Sequence, residues 1–175
     1  MKAQDILVVL KIQSLDDQQG GDPPSSRPQR LLAAETGVSL AQVNAACRRL
    51  EEVGLLSPGR HKVVRPALLE FLVHGLKYVF PVVLGEVVRG MPTGYAAEPL
   101  KGRFLAAEDE LVPVWPDAEG TVRGMALEPL YKSAPRAARR DQRLYDYLAL
   151  LDAIRGGRAR ERKMAIELLT KRLRQ

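Results

Sequence analysis

The sequence predicts a mainly α-helical protein with a small β-hairpin, an α+β fold in which a helix-turn-helix precedes a mostly helical C-terminal part. Three features predict it: two short helical patterns that flank a tight turn at residues 35–38, a hairpin pattern after them, and two longer helical patterns near the C-terminus. Apolar residues that recur every three or four positions indicate helices packed on one face. We expect two domains, residues 1–65 and residues 66–175.

The helix-turn-helix pattern lies within residues 30–57. Gly37 can adopt the left-handed conformation that ends a helix abruptly, and Ser39 can cap the helix that follows. Gln42 stands three residues after Ser39, as in a capping box. The second helix, residues 40–53, is predicted to bury one apolar stripe made of Val43, Ala46, Cys47, Leu50 and Val53.

Two flanking segments complete this predicted domain. Residues 1–15 have the pattern of a helix that is too apolar for the surface, so we expect it to pack against the back of the helix-turn-helix. Residues 16–26 are rich in turn-forming residues and are predicted to be a linker. Residues 55–65 predict a β-hairpin, because two short strand patterns flank the turn-forming pair Pro58-Gly59. The basic tip of this hairpin is suited to contact the DNA backbone or a minor groove.

Residues 32–56, LAAETGVSLAQVNAACRRLEEVGLL, resemble the core of bacterial winged helix-turn-helix transcriptional regulators, the group that includes MarR-like and GntR-like repressors. These proteins share a small-x-x-T-G-V-S motif, a valine four residues after the serine, R-x-L near the helix end and G-L-L entering the wing. The resemblance implies a sequence-specific regulator of double-stranded DNA, a repressor acting as a homodimer. The matching positions are Ala33, Thr36, Gly37, Val38, Ser39, Val43, Arg48, Leu50, Gly54, Leu55 and Leu56.

The face of the second helix opposite its apolar stripe is predicted to read DNA. The amides of Gln42 and Asn44 can donate to and accept from an adenine edge, and Ala45 can pack against a thymine methyl group. Arg48 and Arg49 are further along the helix, where we expect phosphate contacts. An ordinary solvated helix face would show the same residue types. The full set of candidate DNA-binding residues is Arg27, Arg30, Ser39, Ala41, Gln42, Asn44, Ala45, Arg48, Arg49, Arg60, His61 and Lys62.

The net charge of +6 is distributed unevenly. Residues 25–65 hold seven basic and three acidic side chains, residues 66–131 hold five and nine, and residues 132–175 hold thirteen and five. The predicted DNA-reading domain and the C-terminal region are therefore basic, as expected if these parts of the surface face phosphate.

The segment after the hairpin has weaker signals. Residues 67–80 predict a helix buried on more than one side, either the centre of a second domain or the seam of a dimer, with His74 as a core histidine rather than a metal ligand. Residues 81–132 predict an irregular segment with short strands, in which V-R-G-M occurs twice. The second copy, within residues 121–125, is expected to be a strand that faces residues 111–115. The arginine of each copy could bind an anion or pair with a local acid.

Residues 141–174 predict a basic helical pair broken at Gly156-Gly157. Three interpretations of its basic face stay open: an auxiliary phosphate contact, a dock for an acidic partner, or a solubilising surface. Residues 74–95, HGLKYVFPVVLGEVVRGMPTGY, also resemble a bacterial family of helix-turn-helix proteins that can be encoded beside nucleotidyltransferase-type toxins. That resemblance implies an alternative function, as an antitoxin or other module that binds a partner protein, with or without autorepression.

Several other classes of function are not indicated. The single cysteine, Cys47, excludes an internal disulfide. No signal peptide opens the chain, and charged residues interrupt the longest apolar stretch, residues 67–88, so we expect a cytoplasmic protein with no membrane contact. The sequence shows no metal-ligand cluster, phosphate-binding glycine loop or nucleophile–histidine arrangement, so we expect no enzyme, no cofactor and no metal site.

Overall fold

The structure is a computed structural model and describes residues 1–19, 28–59, 62–104 and 111–174. It is an α+β fold with a small three-stranded sheet. The helices are α1 (Ala3–Gln19), α2 (Gln29–Thr36), α3 (Leu40–Glu52), α4 (Arg65–Glu70), α5 (Leu76–Val79), α6 (Ala134–Arg140), α7 (Gln142–Gly156) and α8 (Ala159–Arg174). The strands are β1 (Leu84–Pro92), β2 (Pro113–Pro116) and β3 (Val122–Leu127). A π-helical turn, Phe71–Gly75, joins α4 to α5, and a 3₁₀ turn, Gly94–Ala96, follows β1.

Helix α1 confirms the predicted N-terminal helix and extends it to Gln19. It packs against α2, α3 and α7, and residues 6–10 have no exposed surface, so it lies behind the helix-turn-helix as expected. Residues 16–19, predicted as linker, are helical instead. Tertiary contacts favour this last turn, because the Asp17 carboxylate accepts a hydrogen bond from the Tyr147 hydroxyl of α7 at 2.7 Å.

Helices α2 and α3 flank the predicted turn. Gly37 has a φ of 69°, and its N–H donates to the Ala33 carbonyl at 3.0 Å, which ends α2 in the expected left-handed conformation. The Ser39 hydroxyl accepts a hydrogen bond from the Gln42 N–H at 3.3 Å, which confirms the predicted cap. Four of the five predicted stripe residues are buried. The prediction for Val53 is wrong, because this residue caps the C-terminus of α3 and is 55% exposed.

In the described part of the predicted hairpin, a single antiparallel bridge joins Leu56 to Val63. The turn is held against α3, because the Gly59 N–H donates to the Glu51 carboxylate at 3.0 Å. Residues 60–61, at the predicted basic tip, lie outside the described residues.

The helix predicted over residues 67–80 is amphipathic rather than buried on several sides. Helix α4 packs against α8 and α5 packs against α7, while Tyr78 is 76% exposed. His74 is also exposed, so its predicted core position is wrong. Residues 67–80 contain more apolar side chains than α7 and α8 cover, so some of these side chains stay in solvent. The fully buried residues are Leu68, Leu72 and Leu76, which are four positions apart and form one stripe.

The three strands close into a small barrel in which β1 is antiparallel to both β2 and β3. The two V-R-G-M copies pair with each other, so that Arg89 lies opposite Arg123. Strand β3 faces β2 as expected, but the two are parallel, which is not the geometry of a hairpin. A Cβ at Gly90 or Gly124 would collide with a backbone carbonyl of the neighbouring segment. The repeated glycines therefore permit close approach of the strands.

One hydrophobic core runs through both halves of the chain and crosses the predicted domain boundary at residue 65. Helix α7 is central to it, since most of its apolar side chains, including Tyr147 and Leu150, are buried. The interruption at Gly156-Gly157 between α7 and α8 confirms the predicted helical pair. Helix α6 was not predicted.

A buried cluster of charges ties α1 to α2 and α7. Lys11 is 2% exposed, and its Nζ lies 2.7 Å from Asp141 Oδ2 and 3.1 Å from Glu35 Oε2. Asp141 caps α7 by accepting a hydrogen bond from the Leu144 N–H at 3.1 Å. Burial acts to raise the pKa of Asp141, but hydrogen bonds from Lys11 and Ser14 outweigh burial and hold this pKa below its usual value.

Candidate nucleic-acid interface

Helix α3 presents a polar face to solvent on the side opposite its buried stripe. Ala41, Gln42 and Arg48 are exposed, and Asn44 and Ala45 are half-buried. The buried stripe fixes the rotation of the helix, because any turn about its axis would bring apolar side chains into water. The predicted base-reading residues therefore project from a packed scaffold and not from a loop.

A shallow depression lies beside this face. Asn44 and Arg48 line it from α3, and Gln29 lines it from α2. Cys47 also lines the depression but is only 1% exposed, and burial raises the pKa of its thiol to about 11. A buried thiol with a raised pKa is a poor nucleophile, so Cys47 is a packing residue of the stripe.

Arg49 differs from the other predicted phosphate contacts because it points into the protein. Its Nε lies 2.9 Å from Asp5 Oδ2, and its Nη2 lies 2.6 Å from Asp5 Oδ1. Asp5 has no exposed surface, and its hydrogen bonds raise the pKa of Arg49. We therefore correct the expectation for Arg49: its guanidinium anchors α3 to α1 and is not free to bind phosphate.

The other predicted residues lie around α3. Ser39 is exposed at the start of this helix, where its hydroxyl is the cap. Arg30 is exposed in the first turn of α2, and Lys62 is exposed after the hairpin turn. Arg27, Arg60 and His61 lie outside the described residues.

Helix α6, in the C-terminal half of the chain, packs against the turn of the helix-turn-helix. This contact was not predicted from the sequence. The Ser133 hydroxyl donates to the Thr36 carbonyl at 2.6 Å and ties the start of α6 to the end of α2. The guanidinium of Arg136 lies against Gly37. The basic run at residues 136–140 was visible in the sequence, but its placement depends on contacts between residues 97 positions apart.

The chemistry available elsewhere is limited. Among the residues that the structure describes, no group of three or more histidine, cysteine, aspartate or glutamate side chains could hold a metal ion. In the same parts of the chain, no helix is long and apolar enough to cross a membrane.

Comparison of the chain with protein-family models, with curated proteins and with solved structures gave no match. The resemblance to winged helix-turn-helix regulators therefore stays a prediction.

Proposed function

We propose that this chain is a sequence-specific DNA-binding transcriptional regulator of the winged helix-turn-helix type, a repressor that acts as a dimer on double-stranded DNA. The main support is the exposed polar face of α3, where Gln42 and Arg48 project from a helix whose opposite side is packed. A packed helix with amide and guanidinium side chains on one face suits the major groove. The excess of basic residues within residues 25–65 supports the same proposal.

The residues of α3 have separate roles in this proposal. Gln42 and Asn44 contact base edges, Arg48 contacts phosphate, and Arg49 holds the helix in place through Asp5. Base contacts determine sequence preference, whereas phosphate contacts determine affinity for any duplex and its dependence on salt. The roles can therefore be separated by experiment.

A mobility-shift assay with the DNA upstream of the coding sequence tests the proposal. Arg48→Ala should weaken binding to every duplex. It should also reduce the magnitude of the negative slope of log K against log salt by about 0.9. Gln42→Ala should relax sequence preference by about 1–3 kcal/mol at the base pair that it contacts. Arg160→Ala, at an exposed arginine in the first turn of α8, controls for the loss of one positive charge. A wild-type protein that shifts no duplex at low salt would refute DNA binding.

The dimer is supported by an apolar strip within residues 78–87. A group of large apolar side chains that are exposed to solvent often marks a protein interface. Tyr78 is 76% exposed and Leu84 is 62% exposed, and both lie outside the polar face of α3. The exposed members of the strip are Tyr78, Val79, Val83, Leu84 and Val87.

The same strip supports the alternative function, an antitoxin-like module that binds a partner protein encoded nearby. Size-exclusion chromatography with light scattering separates the two proposals. If the strip joins two copies, the wild type is a dimer, Leu84→Lys is a monomer, and Val53→Lys, at a similarly exposed valine that caps α3, stays dimeric. A monomeric wild type that co-purifies with the product of a neighbouring gene, and loses it on Leu84→Lys, would favour the partner protein.

A further inference from the structure

Helix α6 has three arginines in two different environments. Arg139 is neutralised, because its Nη2 lies 2.6 Å from Asp117 Oδ2 and its guanidinium also pairs with Glu119. Arg136 and Arg140 are both exposed and one helical turn apart. Within the parts of the chain that the structure describes, neither of these two forms an ion pair with a carboxylate.

Both unpaired arginines border the turn that leads into α3. The guanidinium of Arg136 lies against Gly37, two residues before the Ser39 cap. The Nη1 of Arg140 lies 3.5 Å from the carbonyl oxygen of Ala34, in the last turn of α2. The hydrogen bond from Ser133 to the end of α2 fixes the start of α6 in this position.

We propose that Arg136 and Arg140 contact backbone phosphates of the duplex beside the groove that α3 enters, so that α6 is part of the DNA-binding surface. This inference rests on the function proposed above and assigns a phosphate-binding role to part of the basic C-terminal region. The DNA backbones flank the groove, so exposed cations next to the start of a recognition helix meet phosphate oxygens. A guanidinium matches a phosphate through two parallel hydrogen bonds. Arg139 has no such role, since two carboxylates already bind it.

Gly37 has a second function in this arrangement. Besides its φ of 69°, it lacks the Cβ that would collide with the Nη2 atom of Arg136. Gly37→Asn separates these two requirements, because asparagine tolerates the left-handed conformation but adds a Cβ. The side chain of Arg136 is flexible and exposed, so we expect it to be displaced while the turn is kept.

The experiment measures the salt dependence of binding to a short duplex by fluorescence anisotropy, between about 50 and 200 mM salt. Each of Arg136→Gln and Arg140→Gln should reduce the magnitude of the negative slope of log K against log salt by about 0.9. Each should also weaken binding about tenfold at the lowest salt. The matched controls Arg139→Gln and Arg160→Gln remove the same formal charge and should leave the slope unchanged. Thermal unfolding midpoints should stay at the wild-type value for Arg136→Gln, Arg140→Gln and Arg160→Gln.

Gly37→Asn provides a second measurement. It should reproduce the reduced slope of Arg136→Gln, and the variant that combines both changes should lose nothing more. Additive losses would overturn the placement of Arg136 on Gly37. If Arg136→Gln and Arg140→Gln behave like Arg139→Gln, the role of α6 in DNA binding is overturned.

The same binding measurements distinguish failure of the α6 proposal from failure of the proposed DNA-binding function. A wild-type protein without affinity for any duplex at low salt would refute DNA binding itself. If Arg48→Ala weakens binding while Arg136→Gln and Arg140→Gln do not, DNA binding by α3 stands and only the contribution of α6 is refuted.

Discussion

The α2–α3 unit and the β1–β3 barrel are built in opposite ways within one chain. The unit depends on local contacts, such as the hydrogen bond between Ser39 and Gln42, and its outer face is polar. The barrel joins residues 84–92 to residues 113–127, and an apolar strip at its start is left in water. The two surfaces therefore suit different partners: a polar, cationic face suits phosphate and base edges, whereas an apolar strip suits another protein surface.

A buried carboxylate from a neighbouring helix anchors each region. Asp152 of α7 accepts hydrogen bonds from the Thr93 hydroxyl and the Trp115 indole N–H, each at 2.6 Å, and it also pairs with Arg155. Asp5 of α1 has a comparable role for α3, but its partner Arg49 keeps 26% of its side chain exposed. We expect the barrel to depend more on its anchor, because every partner of Asp152 is more deeply enclosed.

The largest effect is expected for Asp152→Ala. This change leaves the 8%-exposed Arg155 without its counter-ion, and the Thr93 hydroxyl and Trp115 indole N–H without their acceptor. The free energy of unfolding should therefore fall by about 4 kcal/mol. Urea unfolding measures the loss. Glu119→Ala, at an 80%-exposed carboxylate, should change stability by less than about 0.5 kcal/mol. If Asp152→Ala lowers the free energy of unfolding no more than the control Glu119→Ala does, the barrel does not depend on Asp152.

Arg49→Met should be the next most damaging change, at about 2–3 kcal/mol, because it removes the guanidinium that pairs with the buried Asp5 carboxylate. The Lys2 N–H, which donates to Asp5 Oδ2 at 2.7 Å, does not replace the lost charge. Its neighbour gives the opposite pattern. Arg48→Met should leave stability within about 0.5 kcal/mol of wild type but weaken DNA binding. Urea unfolding and anisotropy, measured on both variants, would contradict the assigned roles if the two patterns were exchanged.

The pH dependence of stability tests how α1 is joined to α7. The pKa of Asp141 is lowered in the folded protein, so its contribution is complete above the unfolded pKa of about 3.9 and is lost as pH falls through the lower, folded value. Asp141→Asn should cost about 2 kcal/mol at neutral pH, since Lys11 loses a buried partner. It should also flatten the fall in stability below about pH 4. Urea unfolding between neutral and acid pH checks both effects, and an equally steep fall in the variant would refute the assignment.

The smallest effect is expected at the cap of α3. Ser39→Ala removes the acceptor for the Gln42 N–H and should cost about 1 kcal/mol. Ser39→Asp should keep the wild-type stability, because aspartate caps as well as serine. Thermal unfolding of the two variants compares them directly, and equal losses would show that the cap contributes little.

Sequence reasoning succeeded where the decisive contact lies within one or two helical turns. Gly37 and Ser39 were assigned correctly, because a positive φ and a capping hydroxyl act on residues three or four positions away. It failed where burial depends on which neighbour covers a side chain. Val53 and His74 belong to apolar patterns, yet both are exposed, because no periodicity shows where a packed face ends.

The amino-acid sequence by itself determined the positions of α2 and α3, the turn between them and the side of α3 that faces solvent, since these follow from local sterics and helical periodicity. Only the tertiary structure decided which of two adjacent arginines is free. Arg49 binds an aspartate 44 positions away, whereas Arg48 stays in solvent. The same holds for Arg136 beside Gly37, because the partners of a charge are chosen by packing between distant segments.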